Sequence, residues 1–131
     1  MKGLKLAFRT PLNTDPADAN VGGVAAIAAL PLQRAAVRAS ILQVDGVLYA
    51  SAPDHAWAID ARTGKVLWHY YWRTRGATHI GNRGLGMWGD YVFFETPDNY
   101  LVSLDAKTGK ERWHVEIASF DEQYFSTPAP V

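Results

Sequence analysis

Hydrophobic and polar residues alternate with a period of two along most of the chain after Arg38, which predicts short β-strands rather than helices. Dipeptides typical of tight turns, namely Asp-Gly, Pro-Asp and Thr-Gly, separate the alternating segments. The pattern predicts eight strands, at residues 39–44, 47–51, 55–59, 66–72, 84–88, 91–96, 100–104 and 111–117. They fall into two groups of four, and four antiparallel strands joined by short turns are the unit of a β-propeller blade.

A ten-residue stretch occurs twice and sets the period of this pattern. Residues 60–69 are Asp-Ala-Arg-Thr-Gly-Lys-Val-Leu-Trp-His, and residues 105–114 are Asp-Ala-Lys-Thr-Gly-Lys-Glu-Arg-Trp-His. The offset is 105 − 60 = 45 residues, and a period of about 40–45 residues is typical of propeller arrays. The predicted fold class is therefore all-β, a β-propeller fragment of about two four-stranded antiparallel blades.

The repeated stretch also indicates what its individual residues do. Asp60 and Asp105 end an apolar run, and we expect their carboxylates to accept backbone N–H groups across a tight turn. Trp68 and Trp113 occupy the same place in each repeat. Because a large ring repeated once per unit is best explained by contact between units, we expect both tryptophans to be structural and at least one to pack against the neighbouring blade.

The N-terminal part of the chain does not follow the repeat. Leu4–Arg9 alternates and predicts one short strand, Pro11–Gly23 predicts a loop, and Val24–Val37 allows a short helix that Pro31 interrupts. Two blades cannot close a ring, because propellers have typically about four to eight, so we expect a fragment of a longer propeller. The predicted divisions are an N-terminal segment at 1–37 and a propeller part at 38–131, with blades at about 38–75 and 78–118 and the start of a third at 124–131.

Composition narrows the possible partners. Thirteen basic residues balance 13 acidic ones, and the absence of a basic stripe argues against nucleic-acid binding. The chain has no cysteine, which excludes a disulfide or a thiolate metal site. The longest apolar run, Val21–Leu32, is too short to cross a bilayer. It also lies too far from Met1 to be a signal sequence, so we expect the leader of an exported parent protein to lie outside this chain.

Three stretches resemble one known family. The doubled Asp-Ala-(Arg/Lys)-Thr-Gly-Lys-x-x-Trp resembles the tryptophan-docking motif of the quinoprotein alcohol dehydrogenases, eight-bladed propellers that carry pyrroloquinoline quinone (PQQ). Residues 81–94 are similar to the family's Asn-Arg-Gly stretch, which opens a blade beside the cofactor. Residues 124–131 are similar to its threonine-containing strand that ends Ala-Pro-x-Val. The resemblance covers residues 38–131 well and residues 4–8 weakly.

The resemblance implies cofactor-binding residues at Arg83, Thr127 and Asn82. Arg83 matches an arginine that contacts the polar edge of the quinone, a role that suits a guanidinium because it offers several fixed donors to oxygen pairs. Thr127 matches a threonine whose hydroxyl bonds a cofactor carboxylate, and Asn82 belongs to the same Asn-Arg-Gly stretch. His79 lies close enough in sequence to line the site. The residues alone leave open an ion pair of Arg83 within its own blade and an ordinary strand threonine at 127.

The sequence departs from the family pattern at several places. Ala77 and Thr78 stand where the family often has two adjacent cysteines, and Arg38 lies near the place of a glutamate that contacts the cofactor. The family's metal ligands and catalytic aspartate correspond to later blades, so we expect no catalytic residue and no metal site in this chain. His69 and His114 follow the repeated tryptophans and belong to the repeat rather than to a metal site.

For the complete protein, the resemblance implies oxidation of a primary alcohol by hydride transfer to PQQ, with a calcium or lanthanide ion. It further implies a cytochrome c-type electron acceptor and a periplasmic location, without a membrane span. The isolated chain is expected to be inactive. The alternative is a non-catalytic PQQ-repeat propeller that acts as a protein-interaction scaffold in envelope assembly. Residues 82–84 together with Thr127 favour the enzyme, because a scaffold has no need of them at blade openings.

Overall fold

The computed structural model describes residues 6–24, 37–77, 82–122, 124 and 128–130. In these parts of the chain, one 3₁₀ turn, Pro16–Asp18, precedes nine strands. The strands are β1 (Asn20–Gly23), β2 (Leu42–Val44), β3 (Val47–Ala52), β4 (His55–Asp60), β5 (Val66–Arg73), β6 (Gly86–Trp88), β7 (Tyr91–Glu95), β8 (Tyr100–Asp105) and β9 (Glu111–Glu116). None of the described helical segments has the length and hydropathy that a bilayer crossing requires.

The strands form two sheets in the order in which the repeat predicts them. The first sheet has the order β1-β5-β4-β3-β2 and the second has the order β6-β7-β8-β9. Every pairing is antiparallel except that of β1 with β5. A register shift at Ala58/Ile59 recurs at Ser103/Leu104, again 45 residues later. The predicted all-β fold is confirmed: the chain is a propeller fragment with two four-stranded blades, β2–β5 and β6–β9.

The two repeated turns have the hydrogen bonds that the sequence predicts. Asp60 Oδ1 accepts the backbone N–H groups of Arg62 and Thr63 at 2.8 and 2.9 Å. Asp105 Oδ1 accepts those of Lys107 and Thr108, both at 2.9 Å. These bonds stabilise the ionised carboxylates and lower the pKa of both aspartates, and in each case the threonine N–H is the largest cause. The same turn hydrogen bonds therefore form in both copies of the repeat.

The main hydrophobic core lies between the blades. Alternate residues of β5, namely Trp68, Tyr70 and Trp72, are buried against the second blade. Trp68 donates its indole N–H to the carbonyl of Ala106 at 2.8 Å, and its ring lies so close to the next turn that a Cβ added at Gly109 would be 2.5 Å from it. Thus Trp68 packs between blades as predicted.

Buried polar contacts join the blades beside this core. Trp72 donates its indole N–H to the buried carboxylate of Asp98 at 2.7 Å, and the other oxygen of Asp98 accepts the backbone N–H of Arg75 at 3.0 Å. The Tyr70 hydroxyl donates to Glu111 at 2.5 Å. The second blade thus packs against the aromatic rings of β5 and also accepts hydrogen bonds from their polar atoms.

Strand β9 and the residue after it repeat the outward-facing pattern of β5, but no further blade among the described residues packs on these side chains. Trp113, Val115 and Ile117 correspond to Trp68, Tyr70 and Trp72 at an offset of 45, and they are 40%, 48% and 45% exposed. Trp113 contacts Phe93 of its own blade, with ring centroids 5.9 Å apart. Its environment therefore differs from that of Trp68 because the described residues place no third blade against it.

Two sequence predictions for the N-terminal part are wrong. Leu6–Arg9 is not a strand, and residues 4 and 5 of that prediction lie outside the described residues. Asn20–Gly23 is strand β1 rather than loop, since the outer edge of β5 supplies a pairing partner that overrides local turn propensity. A glycine at position 22 allows β1 to lie this close to β5, because a Cβ there would collide with the Tyr70 hydroxyl. Of Val24–Val37, only the two end residues are described, and the division at residue 37 remains a prediction.

The segment before β1 covers the other face of the first blade. The Phe8 ring lies against Gly64, the residue that corresponds to Gly109, in a contact that leaves no space for a Cβ. The Thr10 hydroxyl donates to the Gly64 carbonyl at 2.6 Å, and Trp57 donates its indole N–H to the Asn13 carbonyl at 3.1 Å. Phe8 therefore contacts the first blade's turn as Trp68 contacts the second's.

A buried histidine pair lies on this face. His55 Nδ1 and His69 Nε2 are 2.8 Å apart, and the His55 ring stacks on Trp57 and Tyr71. Burial, followed by the neighbouring His69, lowers the pKa of His55 to about 3. Burial lowers the pKa of His69 to about 4, against an opposing effect of two nearby aspartates. Burial also raises the pKa of Asp54, which is 3.6 Å from His55, to about 6. Both imidazoles are thus neutral in the fold at pH 7.

We expect the histidine pair to make the chain acid-labile. The unfolded histidines take up protons below about pH 6.5 and the folded ones do not, so stability falls as the pH drops from there. Asp54 acts in the opposite sense, because its folded carboxyl binds a proton below about pH 6. The net loss is on the order of 1 kcal/mol per pH unit between pH 6 and 4. Urea unfolding over this range measures it. His69→Gln should flatten the profile, because it removes one of the two buried imidazoles; a slope equal to that of the parent chain would contradict this account.

Candidate functional site

Asn82 lies at the junction between the two blades, in the connection from β5 to β6. Its side chain is buried and makes three hydrogen bonds within the chain. The carboxamide oxygen accepts from the Ser51 hydroxyl at 2.8 Å and from the Gly84 N–H at 2.7 Å. The amide nitrogen donates to the Glu95 carbonyl at 2.9 Å. Ser51 belongs to the first blade and Glu95 to the second, so Asn82 ties both blades to the residues around Arg83.

Arg83 has an exposed side chain directly beside this buried junction. Its backbone carbonyl accepts the N–H of Ser40 at 3.1 Å. Among the described residues, no carboxylate forms an ion pair with its guanidinium. The sequence left open an ion pair of Arg83 within its own blade, and the described part of the second blade contains no such pair. The guanidinium is available to an anionic or carbonyl-bearing ligand.

Three chain segments meet beside Arg83. A Cβ added at Gly84 would be 3.3 Å from the Ser40 carbonyl and 3.5 Å from Cβ of Ala129. A Cβ at Gly86 would collide with the carbonyl of Pro130. The beginnings of the first and second blades therefore lie side by side with the segment that follows the second blade. The two glycines permit this close approach because they carry no side chain.

The remaining sequence-derived site residues are only partly described. Thr127, Thr78 and His79 lie outside the described residues. Ala77, which stands where the family often has a cysteine, adopts a left-handed backbone with φ of 62°. Arg38 is exposed just before the first blade. The structure thus locates Asn82 and Arg83 at one junction, and their role in binding a cofactor remains a prediction.

Ser51 is the residue of this junction that sequence reasoning missed. It is fully buried in β3 between Ala50 and Ala52. A hydroxyl within a run of small apolar residues must find a hydrogen-bond partner, because burying it unpaired is unfavourable. That signal was present in the sequence, but the partner lies 31 residues away and only the fold reveals it.

The junction offers groups that can bind a ligand. Arg83 supplies a permanent positive charge with donors in a planar fork, which suits carboxylates and paired oxygens. In the described part of the chain, no group of three or more histidine, cysteine, aspartate or glutamate side chains is arranged to hold a metal ion. The donors of the Arg83 guanidinium suit the acidic, oxygen-rich rim of a compound such as PQQ, which carries three carboxylates.

Comparisons with known proteins agree with the repeat and the fold. The PQQ-repeat family model described as outer membrane protein assembly factor BamB matches residues 22–125. Quinoprotein alcohol dehydrogenase PedH of Pseudomonas putida is 39% identical over 92 residues, covering 66% of this chain and 16% of that protein. The quinohemoprotein alcohol dehydrogenase ADHIIG of Pseudomonas putida HK5 has a TM-score of 0.63 and 32% identity, covering 73% of this chain and 15% of its own. BamB from Moraxella catarrhalis, at 19% identity, a TM-score of 0.53 and coverage of 63% and 23%, shares the fold.

These findings place the chain in the class of PQQ-repeat β-propellers. Within that class, the chain belongs to the PQQ-dependent alcohol dehydrogenase family. It spans about a sixth of the length of PedH and of ADHIIG. The activity, substrate and partners of a whole protein therefore enter below as proposals.

Proposed function

We propose that this chain forms the first two blades of a PQQ-dependent alcohol dehydrogenase and contributes one edge of its quinone site. The observation that carries the proposal is the exposed Arg83 guanidinium, which has no ion-pair partner among the described residues and sits on a backbone fixed by both blades. Family membership gives the ligand that such a cation would meet.

In this proposal the chain's residues bind and orient the cofactor. Arg83 donates to oxygens at the quinone's polar edge, and Thr127 donates its hydroxyl to a cofactor carboxylate. Asn82 holds the backbone on which Arg83 sits. A bound PQQ, with a calcium or lanthanide ion, would supply the hydride-accepting chemistry for oxidation of the alcohol, and the protein would bind and orient it. The metal ligands and catalytic aspartate belong to later blades.

Location and partners follow the same proposal. The complete protein would act in the periplasm on a primary alcohol and pass electrons to a cytochrome c-type protein. The support is the family itself, whose matched members include quinoprotein and quinohemoprotein alcohol dehydrogenases. At Ala77, this chain departs from the family pattern, which often has a cysteine there. Because the chain contains no cysteine, other groups must cover that face of the quinone.

The second candidate function is a non-catalytic propeller scaffold for envelope assembly. It is supported by the description of the matching family model and by the shared fold of the Moraxella protein. The higher identity to dehydrogenases, 39% for PedH against 19% for that BamB, favours the enzyme.

Alcohol-dependent dye reduction tests the proposed function. We expect activity from the complete protein after addition of PQQ and calcium or a lanthanide, and none from the 131-residue chain under the same conditions. The chain alone supplies one edge of a site and leaves the opposite side in water, so a bound quinone would be neither desolvated nor polarised. A complete protein that binds no PQQ under any of these conditions would favour the scaffold.

A further inference from the structure

The junction beneath Arg83 holds the backbone at three points. Asn82 is anchored through its side chain, the Gly84 N–H donates to that same side chain, and the Arg83 carbonyl accepts from Ser40. Ser51 completes the arrangement by donating its hydroxyl to the Asn82 carboxamide oxygen at 2.8 Å. An exposed arginine thus stands on a stretch of backbone that hydrogen bonds hold on both sides.

The first blade opens without this arrangement. At an offset of 45, Ser51 corresponds to Thr96, whose buried hydroxyl donates to Asp98, two residues away. The residue that corresponds to Asn82 in that unit, residue 127, lies outside the described residues. Arg83 corresponds to Arg38, which follows the partly exposed Val37 instead of an asparagine. The serine–asparagine pair is therefore found at the blade opening that carries Arg83 and not at its counterpart in the first blade.

We propose that Ser51 and Asn82 are positioning residues that set the place and direction of Arg83 at the quinone site. This inference rests on the proposed function. An arginine that contacts two oxygens at once depends on accurate placement, because a small displacement of its backbone breaks both hydrogen bonds together. Ser51 acts through Asn82, and Asn82 acts through the backbone on both sides of Arg83.

Ser51→Ala is the informative variant. It removes one of two donors to the Asn82 oxygen and leaves the Gly84 N–H in place, so the fold has little reason to fail. Asn82→Ala would instead remove all three of these side-chain hydrogen bonds at once. Ser103→Ala is the matched control, because Ser103 is an equally buried strand serine in the second blade. Its hydroxyl oxygen accepts a long hydrogen bond of 3.5 Å from the Arg112 guanidinium.

The test is a double-mutant cycle in the complete protein, read by PQQ titration. We expect Ser51→Ala to weaken PQQ affinity by on the order of tenfold, as loss of a supporting partner does for other ligand-binding groups. We expect Ser103→Ala to leave affinity unchanged. In an Arg83→Ala background, Ser51→Ala should have almost no further effect, because a residue that acts through Arg83 has nothing left to position.

A second readout uses the 131-residue chain and does not involve the cofactor. Hydrogen exchange of the Gly84 and Ser40 amides should speed up in Ser51→Ala and not in Ser103→Ala, since both amides hold the backbone around Arg83. Unchanged exchange, or an equal loss of affinity with and without Arg83, would overturn the positioning role alone. If Arg83→Ala itself leaves affinity unchanged, the quinone-site assignment fails and the positioning role fails with it.

Discussion

Replacing Trp68 by alanine should lower the free energy of unfolding of the chain by about 3–5 kcal/mol, the usual cost of removing a buried large aromatic side chain. The ring is 7% exposed and fills the space between β5 and the Gly109 turn. Its indole N–H also donates to the Ala106 carbonyl, which would lose that partner. Because single domains are stable by only about 5–15 kcal/mol, a loss of this size approaches complete unfolding.

Trp113→Ala provides the matched comparison, since the same substitution is made at the same place in the repeat. Trp113 is 40% exposed and contacts its own blade, so we expect a loss of about 1 kcal/mol. Urea unfolding followed by circular dichroism measures both variants. Equal losses would mean that the interblade contact of Trp68 contributes nothing beyond that of a half-exposed ring.

Removing the Arg83 side chain should weaken PQQ binding by the complete protein by about 1.5–3 kcal/mol, or roughly 10- to 150-fold, the range for a hydrogen bond to a charged group. Arg83→Lys should recover part of the loss, because a lysine keeps the charge but cannot contact two oxygens with a planar fork. The measurement is PQQ titration of the parent protein and both variants.

Arg62→Ala is the control for this experiment, because it removes the same charge from an exposed turn at the other end of the first blade. It should leave the affinity unchanged. If Arg83→Ala behaved like Arg62→Ala, Arg83 would not belong to the quinone site and the main argument for an enzyme over a scaffold would be lost.

The repeated part of the fold was predictable because local and long-range signals agree there. The aspartate turns at Asp60 and Asp105 and the period-two alternation specify strands whose partners are their sequence neighbours. The N-terminal part was not predictable for the opposite reason. Residues 20–23 have the composition of a loop and become a strand only because β5 has a free edge beside them. Alternation at Leu6–Arg9 predicts a strand, but no described strand pairs with it.

The site followed the same division. Arg83 and Asn82 could be proposed from a motif, because their neighbours in sequence identify them. Ser51 could not, since its partner is brought to it by packing of one blade on another. The buried Asp98, which joins Trp72 to the second blade, was missed for the same reason. Residues whose role depends on a contact between repeats are invisible to a pattern that describes each repeat by itself.

The two outer faces of the blade pair are not equivalent, and this gives the unit a direction. Phe8 occupies the Gly64 turn of the first blade, whereas no turn among the described residues lies against Trp113 of the second blade. A further blade can therefore stack on the Trp113 side without displacing any described residue, but on the Phe8 side it meets the chain's own segment first. In a ring closed from such units, the last blade would therefore meet the first blade through the Phe8 segment, whereas a blade tryptophan makes the contact between the two blades described here.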